Sequence, residues 1–437
     1  MVDETILKAV RARSSRLPGF HRLPLARRRE VVAAWAGLSE EEAALLHDGL
    51  AADTANVLVE NAVGTFALPL GIATNFVVDG RDVLVPMAVE EPSVIAAASH
   101  GALMARSGGG LETETDEPVM IGQLQVLDLP GGDLAAAAAR VEARRAEVLA
   151  LAGAQNPVLA GLGGGAKGLE ARRLAETPVG PMLVLHLYYD TRDAMGANSV
   201  NTACEAVAPL VEAITGGRVL LRILSNLADR RLARARCRVP AATLERAGMP
   251  GTLVARRIVE AATLAVVDPY RAATHNKGIM NGIDPLAVAT GNDWRGAEAG
   301  AHAFAARDGR YRALSEWRQD GDGDLIGTLE LPLALGTVGG TTGSHPTARV
   351  CLKMLGVSTA RELAAVAVSV GLVQNLSALR ALATEGIQQG HMALHARQVA
   401  VAAGASGDDA VRIAEQMVRE GAIGADRARE LLAGDGG

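Results

Sequence analysis

Apolar residues recur along this chain with two periods, and the switches between them mark out its organisation. Over the first 50 residues the spacing is helical, and "SEEEAALLHDGL" sets Ser39 and Glu42 as a capping box before an apolar run. "RDVLVPMAV" (81–89) alternates as a strand does, and "SVIAAASHGALMA" (93–105) returns to a helical period. "RSGGGLETETDEP" (106–118) breaks both patterns and predicts a domain crossing. Beyond it "VMIGQLQVLDL" reads as strand, "DLAAAAARVEARRAEVLALA" as helix, and "GLEARRLAE" and "PMLVLHLYYD" as strands. "AMGANSVNTACEAVAPLVEAITGG" then reads as helix, with "RVLLRILSN" and "RLARARCRVP" as strands. The order strand–helix–strand–strand–helix–strand predicts a split βαβ, ferredoxin-like unit, because a doubly wound sheet alternates single strands with helices. From about 240 to 385 helices dominate, interrupted by "LGTVGGTTGSHP" (335–346). The long apolar stretch 358–386 predicts a central core helix. Three short amphipathic helices after Gly386 predict a small, separately mobile tail.

Composition narrows the class. Of 437 residues 49% are hydrophobic and only 3% aromatic, so Ala, Val and Leu must fill a substantial core. The formal net charge is −6 and no basic block stands out, which argues against nucleic acid or an acidic membrane surface as partner. Cys204, Cys237 and Cys351 are far apart with no CxxC spacing, so they read as buried thiols. The N-terminus has no apolar h-region and no run of about 18 apolar residues occurs, so a cytoplasmic location is expected.

Of the 43 basic residues only four are lysine: Lys8, Lys167, Lys277 and Lys353. Lys277 stands in "THNKGIMNGIDP" (274–285), among glycines and asparagines that predict a close-packed loop. A lysine is a compact charge that can give up a proton, which arginine cannot; a purely structural lysine is the alternative. Asp293 of "GNDWR" is either a carboxylate that holds a lysine charged or a helix N-cap. In "VEEPS", Glu90 and Glu91 precede Pro92, which predicts a helix start with Pro at the first position; one of the two acids can also be a proton donor. "DAMGAN" (193–198) lies where a strand turns into a helix, and small residues there let a phosphate reach the helix N-terminus; a plain helix cap is the alternative. "GTVGG" (336–340) is a second tight glycine turn. In "EGIQQGHMALHAR" (385–397), His391 and His395 stand one helical turn apart. HExxH is absent and no third ligand is near, so His391 suits an acid carried by a closing flap better than a metal ligand.

"ENAVG", "EEPS", "DAMGAN", "HNKGIMNG", "GNDW", "GTVGG" and "EGIQQGHMALHAR" occur together and in order. From about residue 14 to its end the chain resembles the 3-hydroxy-3-methylglutaryl-CoA (HMG-CoA) reductases, specifically the bacterial class II form. The resemblance implies an α+β fold: a large, mainly helical domain (1–117 and 230–385), an inserted ferredoxin-like (βαββαβ) coenzyme-binding domain (118–229), and a C-terminal helical flap (386–437). It implies Glu91, Lys277, Asp293 and His391 as the catalytic group. It implies that Ser93, Arg271, Asn281 and Asn375 line the HMG pocket. Asp193, Met195, Gly196, Asn198 and Asn226 would border the dinucleotide. Expected ligands are HMG-CoA, mevalonate, CoA and NAD(H), with NADP(H) possible and no metal. A homo-oligomer built from dimers is expected, with active sites at the subunit interface near "ENAVG". Two positions depart from the pattern. Where close relatives place an arginine for the CoA phosphates this chain has His21, with Arg22 beside it. Where NAD-using relatives place an aspartate it has Asn156. Another NAD(P)-dependent CoA-thioester oxidoreductase, or a histidine-based metal hydrolase, are the rival readings.

Overall fold

The computed structural model describes residues 2–246, 248–384 and 387–434, the side chains of 2, 3, 387–394 and 434 excepted. Strands β1 (Leu70–Val78), β2 (Arg81–Ala88) and β3 (Leu111–Thr115) come first. Four more follow: β4 (Val119–Leu127), β5 (Gly165–Leu174), β6 (Met182–Asp190) and β7 (Arg218–Ser225). The last are β8 (Leu232–Val239), β9 (Ser315–Gln319) and β10 (Leu325–Pro332). They build two sheets, one in the order β2-β1-β3-β8-β10-β9 and one in the order β5-β6-β4-β7. In the second sheet all pairings are antiparallel, and its four strands in chain order stand as 2-3-1-4, the ferredoxin-like arrangement.

Helix α1 (Val94–Arg106) follows β2, and α2 (Ala197–Thr215) crosses from β6 to β7. Helices α3 (Pro269–Ala289), α4 (Trp294–Ala305) and α5 (Ala360–Ala383) pack on the six-stranded sheet. Helices α6 (Ile387–Ala402), α7 (Gly407–Glu420) and α8 (Ala425–Gly434) make the tail. Helix α5 is long and apolar enough to cross a bilayer, but Leu363, Val366, Val370, Val373 and Leu376 are buried in the main core. Glycines let α1 and α3 approach it. A Cβ on Gly101 would stand 2.2 Å from the Val373 carbonyl oxygen, and one on Gly282 would stand 2.9 Å from the Gln374 Cβ.

The structure corrects several expectations. The "HNKGIMNG" stretch is not a loop: it lies within the 21-residue helix α3. Its buried Asn276 spans loop backbone, donating to the Arg312 carbonyl and accepting from Leu314 N–H. The stretch 133–152 is two helices that meet at Arg144, where φ is −111°. Strands β1, β3, β9 and β10 escape the hydropathy pattern. Strands β3 and β9 are five residues long with alternating burial, so each carries too few apolar positions to register. The Ser39–Glu42 capping box is present as expected.

Candidate active site

Two groups of side chains form around these elements. The first gathers on α3 and the turn before α1. Asp268 caps α3 by accepting the Arg271 N–H at 3.0 Å, with Pro269 at the first position. Lys277, two turns further on, places its ammonium 3.0 Å from the Glu91 carboxylate, 186 residues away in sequence. The lysine side chain is 58% exposed and the glutamate 39%, so the pair is accessible to a substrate. Pro92 is outside the helix, contrary to the expected start: α1 begins at Val94 behind Ser93, whose φ of 75° is left-handed. That conformation is costly for serine, and its hydroxyl is enclosed without a partner. Asn281 is one turn beyond Lys277 on the same helix. Arg271 is half-buried, and that burial lowers the pKa of its guanidinium.

Asn375 belongs to a buried chain of hydrogen bonds. Its Oδ1 accepts from Trp317 Nε1–H at 2.8 Å and from the Ser315 hydroxyl at 2.9 Å, while His275 Nε2 lies 2.7 Å from that hydroxyl.

The second group forms at the start of α2. Gly196 has φ 98°, and a Cβ there would sit 2.1 Å from Thr191 Cγ2, so only glycine fits. Asp193 accepts the Ala360 N–H at the start of α5 at 2.9 Å, and its carbonyl takes the Thr337 N–H at 2.8 Å. The "GTVGG" turn packs directly on this corner: a Cβ on Gly336 would stand 2.5 Å from Met195 N. Asn292 holds Gly336 from the other side, accepting its N–H at 2.7 Å and donating to its carbonyl at 3.1 Å. Asp293, next in sequence, caps α4 through Gly296 N–H at 3.0 Å. Asn226 Oδ1 would lie 3.2 Å from a Cβ on Gly296. Thus "DAMGAN", "GTVGG", "GNDW" and Asn226 form one packed unit. Asn198 is exposed in the first turn of α2. Asn156 caps the short helix Pro157–Gly161 through Leu159 N–H at 3.0 Å and points its amide at Ser199, 3.4 Å away. A glycine-shaped turn opening a 19-residue helix is a cradle that fits a dinucleotide phosphate.

The two groups do not meet within one chain. Lys277 precedes the C-cap of α3, Thr290, by thirteen residues. At about 1.5 Å per residue that is roughly 20 Å of helix, far beyond a lysine's reach. Among the described residues the carboxylate within ion-pair distance of Lys277 is that of Glu91 and not that of Asp293. Arg22, on the short helix Phe20–Arg22, is exposed. The side chain of His391 lies outside the described residues; His395 is exposed, and no group of three metal-ligating side chains occurs among the described residues. The three cysteines are free and buried, and burial pushes each thiol up to about 12. Sequence reasoning missed Arg231, a buried arginine at the edge of the second group, which nothing distinguishes from the chain's other arginines.

Fold and motifs together define an oxidoreductase of the kind that works with a nicotinamide coenzyme. The hydroxymethylglutaryl-coenzyme A reductase family model matches residues 24–396, and the chain belongs to that family. It is 53% identical over 426 residues to the 3-hydroxy-3-methylglutaryl-coenzyme A reductase of Archaeoglobus fulgidus, covering 97% of this chain and 96% of that one. A probable reductase of Borreliella burgdorferi is 32% identical, covering 78% of this chain and 77% of its own. Among solved structures, the reductase of Streptococcus pneumoniae superposes with a TM-score of 0.81 at 40% identity, covering 95% of this chain and 99% of that one. A structure of the class II enzyme from the same organism, bound to NADPH in open conformations, gives a TM-score of 0.80 at 41% identity, covering 84% and 99%. The reaction is the reduction of HMG-CoA to mevalonate.

Proposed function

We propose that this reduction takes place at a site shared by two copies of the chain. One copy brings Lys277 and Glu91; the other brings Asp293 and the coenzyme turn. The observation that carries this reading is that within one chain Lys277 pairs with Glu91 and not with Asp293, which follows the C-cap Thr290 at the far end of roughly 20 Å of helix. The segment containing "ENAVG" supports it, since Val57, Val63 and Phe66 stand 85%, 105% and 93% exposed on a single copy.

In the proposed division, residues 118–229 hold the coenzyme, 1–117 and 230–385 hold HMG-CoA, and 386–437 close over the site. Ser93, Arg271, Asn281 and Asn375 bind the HMG moiety, and Arg22 the CoA phosphates. Each reduced coenzyme, when bound, would supply one hydride, so the four-electron reduction requires two coenzyme molecules in succession. Reduction of the thioester carbon leaves a negative oxygen, which the Lys277 ammonium neutralises. Asp293 from the other copy holds that ammonium in place. Collapse of the hemithioacetal expels CoA thiolate, and His391 on the flap protonates it. Glu91 delivers the proton to the alkoxide in the second stage. The three reduced, buried thiols fit a cytoplasmic location.

Mixing tests the shared site. Lys277→Ala and Asp293→Ala homodimers are each expected to be inactive. Hybrid dimers then carry one intact site in two, so equilibrated mixtures should regain about a quarter of parent activity. No recovery in mixtures shown to contain hybrids would place both residues in one chain's site.

For the coenzyme we propose NAD(H) as the preferred partner, with measurable use of NADP(H). Asn156 lacks the charge that repels a 2′-phosphate, but Arg144 and Arg145, on the preceding helical stretch, are already engaged. Arg144 pairs with Glu147 at 2.6 Å, and Arg145 with Glu142 at 3.3 Å. The preference should amount to roughly 1–3 kcal/mol in kcat/KM, and Asn156→Asp should widen it. A parent that favours NADPH, or an unchanged ratio in the variant, counts against it.

A further inference from the structure

We propose that Arg231 is a positioning residue that fixes the shape of the coenzyme turn; this rests on the reading of residues 193–198 as the dinucleotide site. Arg231 stands just before β8, where the chain leaves the four-stranded sheet for the six-stranded one, and it is 5% exposed. Its Nη1 donates to Thr191 Oγ1 at 3.0 Å and to the carbonyls of Ala194 at 3.2 Å and Met195 at 3.4 Å. Its Nη2 donates to the Leu335 carbonyl, one residue before Gly336. Among the described residues no carboxylate lies within ion-pair distance. A buried cation is expensive, and here backbone carbonyls offset the cost, helped at longer range by Asp190 and Asp193. Burial lowers the guanidinium only to about 10, so it stays charged at neutral pH.

The geometry explains why these carbonyls are gathered there. A trans peptide points its C=O and N–H in opposite directions. Pinning the Met195 carbonyl inward on Arg231 therefore turns the Gly196 N–H outward, beside the unpaired N–H groups that open α2. The same guanidinium ties this corner to Leu335, and Asn292 ties Gly336 to the Asp293 segment. Lysine cannot replace it, because one ammonium cannot span both turns in the fork geometry of a guanidinium.

The test uses the full-length dimer with NADH and HMG-CoA as probes. Arg231→Ala should weaken NADH binding by about tenfold or more, since the Met195 and Leu335 carbonyls lose this donor and Ala194 keeps only Thr191. The KM for HMG-CoA should stay within about threefold, because that ligand is held by the other group. Guanidinium chloride at about 10 mM should restore much of the NADH affinity, while methylammonium at equal ionic strength should not. A merely structural arginine would lower both affinities together and would not respond to guanidinium. If Arg231→Ala does not fold, Arg231→Lys and Thr191→Val decide: each should weaken NADH binding selectively, the second by about two- to fivefold. Unchanged NADH binding in folded variants, or equal loss of both ligands without rescue, overturns the role. A parent protein that binds neither NADH nor NADPH overturns the dinucleotide reading itself, and this role with it.

Discussion

Single residues in this molecule are fixed by the directions of their hydrogen bonds. Trp317 Nε1–H can only donate, so the Asn375 atom facing it at 2.8 Å is the amide oxygen. Ser315 gives its one proton to the same oxygen. His275 must then donate from Nε2 to Ser315, which leaves Nδ1 a bare lone pair, enclosed without a partner. Asn375 is thereby locked with its NH2 turned away from this network, as a donor. Protonating His275 would add an N–H with no acceptor, and burial first, with Arg271 second, pushes its pKa down to about 4. An unfolded chain takes up that proton near 6.5, so stability falls as pH drops from 6.5 towards 4, by about 3 kcal/mol in all. His275→Gln keeps a donor towards Ser315 and cannot titrate. Urea melts at pH 7, 6 and 5 should show the parent losing stability faster than this variant; parallel losses would remove His275 as the source. None of this was legible in the sequence, where His275 is one more histidine. Lys277 was legible because lysine is rare here.

At the level of elements, legibility followed burial. Strands β4 and β6 are central in their sheet, and "VMIGQLQVL" and "MLVLHLYYD" are apolar enough to read directly. Strands β3, "LETET", and β9, "SEWRQ", bury one face each and look like loop. Helix α3 misled for a different reason. Its glycines and asparagines suggest a loop, yet Gly282 is there to let α5 approach and Asn276 to tie down a neighbouring turn. The contact of α3 with α4 holds a second unusual feature. Asp284 on α3 faces Glu298 on α4, one Asp284 oxygen is enclosed without a partner, and burial, with Glu298 beside it, raises the Asp284 carboxyl to about 8. Between 3.8 and 8 the unfolded chain releases a proton that the folded chain retains, so this contact loses stability as pH rises through that window. Asp284→Asn cannot ionise. Its thermal stability relative to the parent should therefore grow between pH 5 and pH 8, by roughly 3–4 kcal/mol. A constant difference would mean that the two carboxyls do not share a proton.

The molecule as a whole separates three tasks that the reaction must bring together. The Lys277–Glu91 pair is accessible at the surface, the turn of residues 193–198 is held by Arg231 and packs on Gly336, which Asn292 ties down, and the tail has a core of its own. In that tail Ala396, Ala400, Ile413, Met417 and Ala428 are buried against one another, so α6, α7 and α8 can move as one body. A body of this kind suits a step that must happen late. The thiolate should be protonated only after the first reduction, and water should be kept out until then. If His391 is the acid that the tail delivers, its role belongs to thiolate release alone, because reduction of the aldehyde expels no leaving group. His391→Gln should then slow turnover of HMG-CoA by about 100-fold or more, the usual range for a lost general acid, and leave reduction of free mevaldehyde within about threefold. Steady-state rates on both substrates, at saturating coenzyme, separate the possibilities. Equal losses would assign His391 to a step shared by both reductions, or to closure of the tail itself. A selective loss that truncation at residue 386 reproduces would show that the whole tail serves that one proton transfer.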